Sequence, residues 1–303
     1  MKKITIEDHC WHIVLNTNAN EKKSERNWRP IAQLLARHGI RHELHVTHHA
    51  GEGIETARQL CNNGIRHLVA AGGDGTINEV GRAVCGSDTA LAILPCGSGN
   101  GLARHLHIPM NAEKALDALN NGVIDLVDYG TVNDQPFFCT CGVGFDAQVS
   151  YKFANEDTRG LVTYIKTTIS EYFRYRSQHY RITIDGATID EKAFVIACCN
   201  AAQYGNNAFV APRASMQDGK IDITVIHSFN LGEAALLSAR LFTSNIDRDR
   251  HVSIYRGRDI VIERDDEDVM HIDGDPVMMP ELLHIVCHPS SMRVVVPASN
   301  AVI

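Results

Sequence analysis

The sequence predicts an α/β domain built on a parallel sheet, followed by an antiparallel β-sandwich domain. Three observations carry this prediction. From His12 to Leu94 short apolar runs alternate with stretches of helical periodicity, the pattern of strands joined by crossover helices. After Asn121 the texture changes to short strands separated by turn residues. Two glycine-rich loops each follow an apolar strand and precede helical sequence. The change of period puts the domains at 1–125 and 126–289. The last strand, Arg293 to Val296, can join either sheet, so 290–303 can complete the first domain.

Element by element, His12 to Leu15 reads as a strand, and Trp28, Ile31, Ala32 and Leu35 share one helical face that Gly39 stops. Arg41 to Val46 is the second strand. Ile54, Ala57, Leu60 and Cys61 form the next stripe, closed by Gly64, and His67 to Ala71 is the third strand. Ile77, Val80, Gly81 and Val84 repeat the helical spacing before the strand Ala90 to Leu94. In the second half, Ile124–Val132 and Pro136–Phe145 flank a turn at Asn133-Asp134, and His179–Asp185 and Thr188–Cys199 flank Gly186. Ile221–Ile226, His251–Tyr255, Asp259–Arg264, Val269–Ile272 and Leu283–Cys287 continue the strands. Leu161–Tyr175 and Leu231–Thr243 have helical composition.

Composition narrows the function. A chain of 303 residues, 44% hydrophobic, buries a core without disulfides or a structural metal. Its 29 Lys and Arg against 36 Asp and Glu give a net charge of -7, which argues against nucleic acid as partner. Without a secretory signal or an apolar run of membrane-spanning length, a cytoplasmic protein is expected. Nine cysteines lacking a C-x-x-C pair read as small buried hydrophobes, and the sixteen histidines form no H-E-x-x-H set.

The chemistry lies in Gly72-Gly73-Asp74-Gly75-Thr76, followed by Asn78-Glu79-Val80, and in Pro95-Cys96-Gly97-Ser98-Gly99-Asn100. A strand running through glycines into a helix brings backbone N–H groups and a helix N-terminus to one point, which suits a polyphosphate. Thr76 with Glu79 fits a capping box. Asp74 beside an anion site is expected to hold Mg2+, directly or through water. Two such loops at successive strand ends flank one crevice. Neither loop carries the lysine of a Walker motif, and the first does not match G-x-G-x-x-G.

These residues resemble the diacylglycerol kinase catalytic-domain family, which includes bacterial lipid kinases and the sphingosine and ceramide kinases, within a superfamily shared with NAD kinases and phosphofructokinases. Asp128-Tyr129-Gly130, Gly142-Val143-Gly144-Phe145-Asp146, Ala211-Pro212, Asp218-Gly219-Lys220-Ile221-Asp222 and Asp273-Gly274-Asp275 continue the likeness along nearly the whole chain. The resemblance implies an NAD kinase-like nucleotide domain, with ATP bound between it and a β-sandwich. ATP contacts fall to Gly72, Gly73, Asp74, Gly75, Thr76, Glu79, Gly97, Ser98, Gly99 and Asn100, with Thr47 and Asn16 at the two earlier strand ends. The family's opening Asn-Pro-x-Ser-Gly reads Asn16-Thr17-Asn18-Ala19-Asn20 here.

Asp273 is implied as the base, assisted by Asp128, and Asp275, in place of the family's glutamate, is implied on the cofactor side through metal-bound water. Asp146 matches the lipid head-group residue of sphingosine kinases. Asp218 and the Ile221 carbonyl match a structural Mg2+ turn, with Gln217 in place of its first acid. The bland reading of Asp273-Gly274 is a hairpin turn.

The implied reaction is ATP- and Mg2+-dependent phosphorylation of a lipid hydroxyl, on diacylglycerol or a sphingoid-type lipid. The protein would meet its lipid transiently at the membrane surface, and a homodimer stays open. An aromatic and basic stretch, Leu161 to Arg181, suits that surface as well as it suits a packed helix. An NAD kinase-like small-molecule kinase and a nucleotide- or lipid-binding regulator without catalysis are the alternatives.

Overall fold

The computed structural model describes residues 10–16, 21–154 and 174–298. The chain divides into two units, Met1–Val127 with Ser290–Ile303, and Asp128–Pro289.

In the first unit, β1 (Trp11–Asn16), β2 (His42–Thr47), β3 (His67–Gly72) and β4 (Ala90–Pro95) form a parallel sheet in the order β2-β1-β3-β4. The crossover helices α1 (Glu21–Arg37), α2 (Glu52–Asn62) and α3 (Asp74–Val84) bury the predicted stripes: Ile31 and Leu35, Ala57 and Leu60, and Ile77, Val80 and Val84. Gly39 and Gly64 end the first two in the left-handed region, at φ 65° and 81°, which a side chain would resist. The short helices α4 (Gly101–His105) and α5 (Ala112–Asn120) follow.

The second unit is a sandwich. Its strands are β5 (Val123–Val132), which enters from the first unit, β6 (Gln135–Phe137), β7 (Thr140–Gly144), β8 (Gln178–Ile184), β9 (Ala187–Ala193) and β10 (Val195–Cys199). They continue with β11 (Ile221–Ile226), β12 (Val252–Gly257), β13 (Asp259–Glu263), β14 (Asp268–Ile272), β15 (Asp275–Met279) and β16 (Leu282–Val296). One antiparallel sheet has the order β12-β11-β10-β7-β14-β15; the other contains β16-β13-β8-β9, with β5 paired to β16 and β6. Phe137, Val143, Ile182, Ile196, Ile262 and Leu283 belong to one buried cluster drawn from both sheets. Phe194, Val195 and Ala197 join a second cluster with Leu237 of α7 (Leu231–Phe242).

Several predicted elements differ. Thr188–Cys199 is two strands, because Phe194 N–H donates to Ile226 and its carbonyl accepts from Phe145, passing the chain from one sheet to the other. Pro136–Phe145 splits in the same way into β6 and β7, and Phe145 opens an unpredicted helix, α6 (Phe145–Ala154). Leu283–Cys287 and Arg293–Val296 are one strand, bent at Ser290, whose φ is 48°. Its end joins the parallel sheet, with Val294 opposite Leu91. The predicted helix Leu161–Tyr175 lies outside the described residues except for its last two.

Candidate active site

The parallel register lines up the strand ends of the first unit. Asn16 is opposite Thr47, Leu15 opposite Ala71, and Gly72 opposite Pro95. The order β2-β1-β3-β4 reverses direction between β1 and β3, and ligands of open α/β sheets bind outside the carboxyl ends at such a point. Thr47 is buried, and its hydroxyl donates to the Leu15 carbonyl at 3.4 Å.

The two glycine loops are clamped together by Asp74. Its Oδ2 accepts from Asn100 N–H at 2.9 Å and its Oδ1 from Gly101 N–H at 2.7 Å, so it caps α4 from the other loop. Asn100, left-handed at φ 50°, closes its own loop: Oδ1 accepts from Gly97 N–H at 3.0 Å and Nδ2 donates to the Gly97 carbonyl at 2.8 Å. The glycines permit this approach. A Cβ on Gly97 would stand 2.6 Å from the Gly73 Cα, and one on Gly99 would stand 2.6 Å from Asp74 Oδ2.

The predicted capping box is not formed. α3 starts at Asp74, with Gly73 as its N-cap and no side-chain cap, so Thr76 and Glu79 lie inside the helix. Thr76 packs where a Cβ on Gly72 would be. Glu79 instead accepts from Gly51 N–H at 2.8 Å and Gly53 N–H at 3.0 Å, holding the start of α2. Gly75 has no neighbour near its missing Cβ, and Gly97 and Ser98 are exposed. An uncapped helix start beside exposed glycines is chemically suited to phosphate oxygens. Among the described residues each Asp74 oxygen carries one hydrogen bond, and a carboxylate offers about four acceptor positions, so about half remain for the water of a hydrated Mg2+.

In the second unit, Asp273 and Gly274, at φ 50° and 92°, form the two-residue turn between β14 and β15. The carboxylate does more than a turn requires. Oδ2 accepts from Phe138 N–H at 2.8 Å, and Oδ1 accepts from Cys139 and Thr140 N–H at 2.7 and 3.0 Å. Burial pushes this carboxyl above the ordinary range, and the three N–H groups oppose it. Asp128 is buried, and its Oδ2 accepts from Gly219 N–H at 2.7 Å.

Asn200, which sequence reasoning missed, joins the two aspartate segments. Its Nδ2 donates to the Asp128 carbonyl at 3.0 Å and the Phe138 carbonyl at 2.8 Å, and its buried Oδ1 has no partner among the described residues. The only hint was a polar residue closing the apolar run Val195–Cys199. Asp275 is exposed at the start of β15.

Asp146 lies in the first turn of α6. Its Oδ2 accepts from the Tyr204 hydroxyl at 2.8 Å and lies 3.0 Å from Nε2 of buried His271. His271 and Tyr204 also escaped sequence reasoning, because a strand and a loop far from Asp146 in sequence bring them to the start of α6.

The Asp218 turn does not fit the implied structural Mg2+. Arg256 Nη2 lies 2.9 Å from Asp218 Oδ2 and 3.1 Å from Asp222 Oδ2, so a guanidinium already supplies the positive charge. Ile221, whose carbonyl was the other candidate ligand, is paired with Gly257 in the sheet. Burial raises the Asp222 pKa, and Arg256 opposes the rise.

Residues 10–132 match the diacylglycerol kinase catalytic domain, and residues 139–296 match the YegS C-terminal NAD kinase beta sandwich-like domain. The chain is 28% identical to an uncharacterized protein of Synechocystis over 86% of its length, spanning 62% of that relative. It is 25% identical to a diacylglycerol kinase of Bacillus subtilis, over 95% of this chain and 97% of that one. A crystal structure of a diacylglycerol kinase from Bacillus anthracis matches with a TM-score of 0.73 at 18% identity, covering 96% and 98% of the two chains. The chain belongs to the diacylglycerol kinase catalytic-domain family, with the YegS-type β-sandwich as its C-terminal part.

Proposed function

We propose that this member of a lipid-kinase family is an ATP- and Mg2+-dependent kinase that phosphorylates the hydroxyl of a diacylglycerol or sphingoid-type lipid. The observation that carries the reading is the clamped pair of glycine loops, with the uncapped start of α3 between the strand ends of a parallel sheet. The first unit binds the triphosphate through backbone N–H groups, and the second binds the acceptor. Mg2+, when bound, neutralises charge on the phosphates; Asp74 would hold it through water.

In the transfer, the lipid hydroxyl oxygen bonds to the γ-phosphorus as the bond from that phosphorus to the β-phosphate oxygen breaks. ADP leaves, and the hydroxyl proton passes to Asp273, whose raised pKa suits a base. The three N–H bonds fix that carboxylate's direction. Asp146, held by Tyr204 and His271, would accept from a polar group of the lipid head.

No helix among the described residues is long and apolar enough to cross a membrane. In this reading the acceptor is met at the surface of the bilayer. Within α7, Leu231, Leu236 and Phe242 are more than half exposed, an apolar face suited to dipping into the head-group region.

Labelled ATP offered with diacylglycerol, sphingoid bases and phosphatidylglycerol in mixed micelles tests the proposal, with Asp273→Asn alongside. Labelling of one lipid by the wild type, lost in the variant, is expected. Labelling only of a soluble alcohol or of NAD would end the lipid reading.

A further inference from the structure

A second group of ligand-type side chains lies on the first unit, on the edge strand β2 and its neighbour β1. In the parallel register His12 of β1 is opposite Glu43 of β2, and Val14 is opposite His45. Strand alternation therefore puts His12, Glu43 and His45 on one face. His12 Nδ1 lies 3.2 Å from His45 Nε2, and the rings stack with centroids 5.4 Å apart at 18°. Glu43 Oε2 is 3.7 Å from His12 Nδ1, and its Oε1 is 3.9 Å from His45 Nε2.

These separations are close to those of a coordination shell. Ligands about 2.0–2.1 Å from a tetrahedral cation stand about 3.3 Å from one another. The two imidazole nitrogens already have that spacing. Their side chains are only 14% and 18% exposed, so the strands hold them, whereas Glu43, 62% exposed, can turn to close the remaining gap. A hydrogen bond between the two ring nitrogens uses one lone pair, whereas a divalent ion takes both.

We propose that His12, Glu43 and His45 bind a divalent transition metal of the zinc class. Two imidazoles and one carboxylate suit Zn2+, whereas Mg2+ and Ca2+ prefer all-oxygen shells. Three protein ligands leave the fourth position to water. His12 and Glu43 stand four residues before the strand ends at Asn16 and Thr47 and His45 two, so the ligands lie about 7–13 Å along the strands from that edge, apart from the kinase chemistry. Because β2 is the outermost strand, the metal would fasten the edge of the sheet to β1.

Co2+ titration of the chelator-stripped full chain tests this, since tetrahedral Co2+ absorbs strongly in the visible and Zn2+ bleaches the band by displacement. One equivalent is expected in the wild type, with loss of the band in the His12→Gln/His45→Gln double variant and a roughly tenfold weaker site in Glu43→Gln. Zn2+ should raise the melting temperature of the wild type and not that of the double variant. The remaining histidines bind equally in both proteins, so the difference isolates this site. An identical Co2+ spectrum in the double variant, or no tetrahedral band in the wild type, overturns the proposal. Should the double variant fail to fold by circular dichroism, Glu43→Gln decides through its exposed side chain, and unchanged affinity there also overturns it.

Discussion

Replacing Asp74 by Asn separates a loop clamp from a metal ligand. The carboxylate accepts at 2.9 and 2.7 Å from two backbone N–H groups of the second loop. Asparagine keeps one acceptor and turns an NH2 group toward the other N–H, so one charge-assisted bond is lost and a donor faces a donor. A hydrogen bond to a charged group is worth about 1.5–3 kcal/mol, and the unpaired N–H adds about 1–3 kcal/mol of desolvation. Partial exposure of Asp74 trims this, leaving a net loss of about 2–4 kcal/mol. Urea unfolding in EDTA, without nucleotide, reads the clamp alone. The midpoint should fall well below that of the wild type even when no cation is present. Stability within about 0.5 kcal/mol of wild type in EDTA, with a deficit appearing only when Mg2+ and ATP are added, would refute the clamp and leave a purely metal-binding aspartate.

Other perturbations probe separate parts. Burial lowers the His105 pKa to about 4, with His107 adding to the effect. The unfolded chain takes up this proton near pH 6.5 and the folded chain only near 4, so His105 removes stability as pH falls between them, by about 3 kcal/mol at most. His105→Asn should flatten that part of a stability-against-pH curve measured by urea unfolding. Arg256→Met leaves buried Asp222 without its guanidinium and should cost about 3–5 kcal/mol at neutral pH. In thermal melts that variant, unlike the wild type, should be stabilised by millimolar-range Mg2+. Asp273 must be ionised to act as a base, so kcat/KM should fall with decreasing pH above the ordinary carboxylate range; Asp273→Asn should cost about 10²–10⁴-fold and abolish that limb. Leu236→Glu with Phe242→Glu should weaken sedimentation with lipid vesicles while turnover on a micelle-dispersed acceptor persists.

Much of the fold was legible because its signals are local. The helix stops at Gly39 and Gly64 and the two-residue turns Asn133-Asp134 and Asp185-Gly186 are set by left-handed backbone positions that few residues adopt. The strand-glycine-helix junctions also declared the candidate loops. What stayed hidden depends on partners distant in sequence. Glu79 looked like a cap for its own helix and caps α2 instead, because α3 begins at Asp74. Phe194 looked like the middle of a strand, since nothing local shows that the chain changes sheets there. Pro289-Ser290-Ser291 read as an interruption, and the bend at Ser290 is absorbed within one strand. Asn200, His271, Tyr204 and Arg256 carry no motif, and only the sandwich brings them to the aspartates they serve.

The pairing of Val294 with Leu91 also orders events during synthesis. β1 to β4 leave the ribosome about 200 residues before the segment that covers the outer edge of β4, so the nascent sheet carries an open, wholly apolar border through most of translation. Closure arrives with Arg293, whose guanidinium donates to the Ser87 carbonyl at 2.8 Å and meets Asp88 at 3.0 Å. Until then the backbone groups along that edge of β4 lack the partner that Val294 supplies.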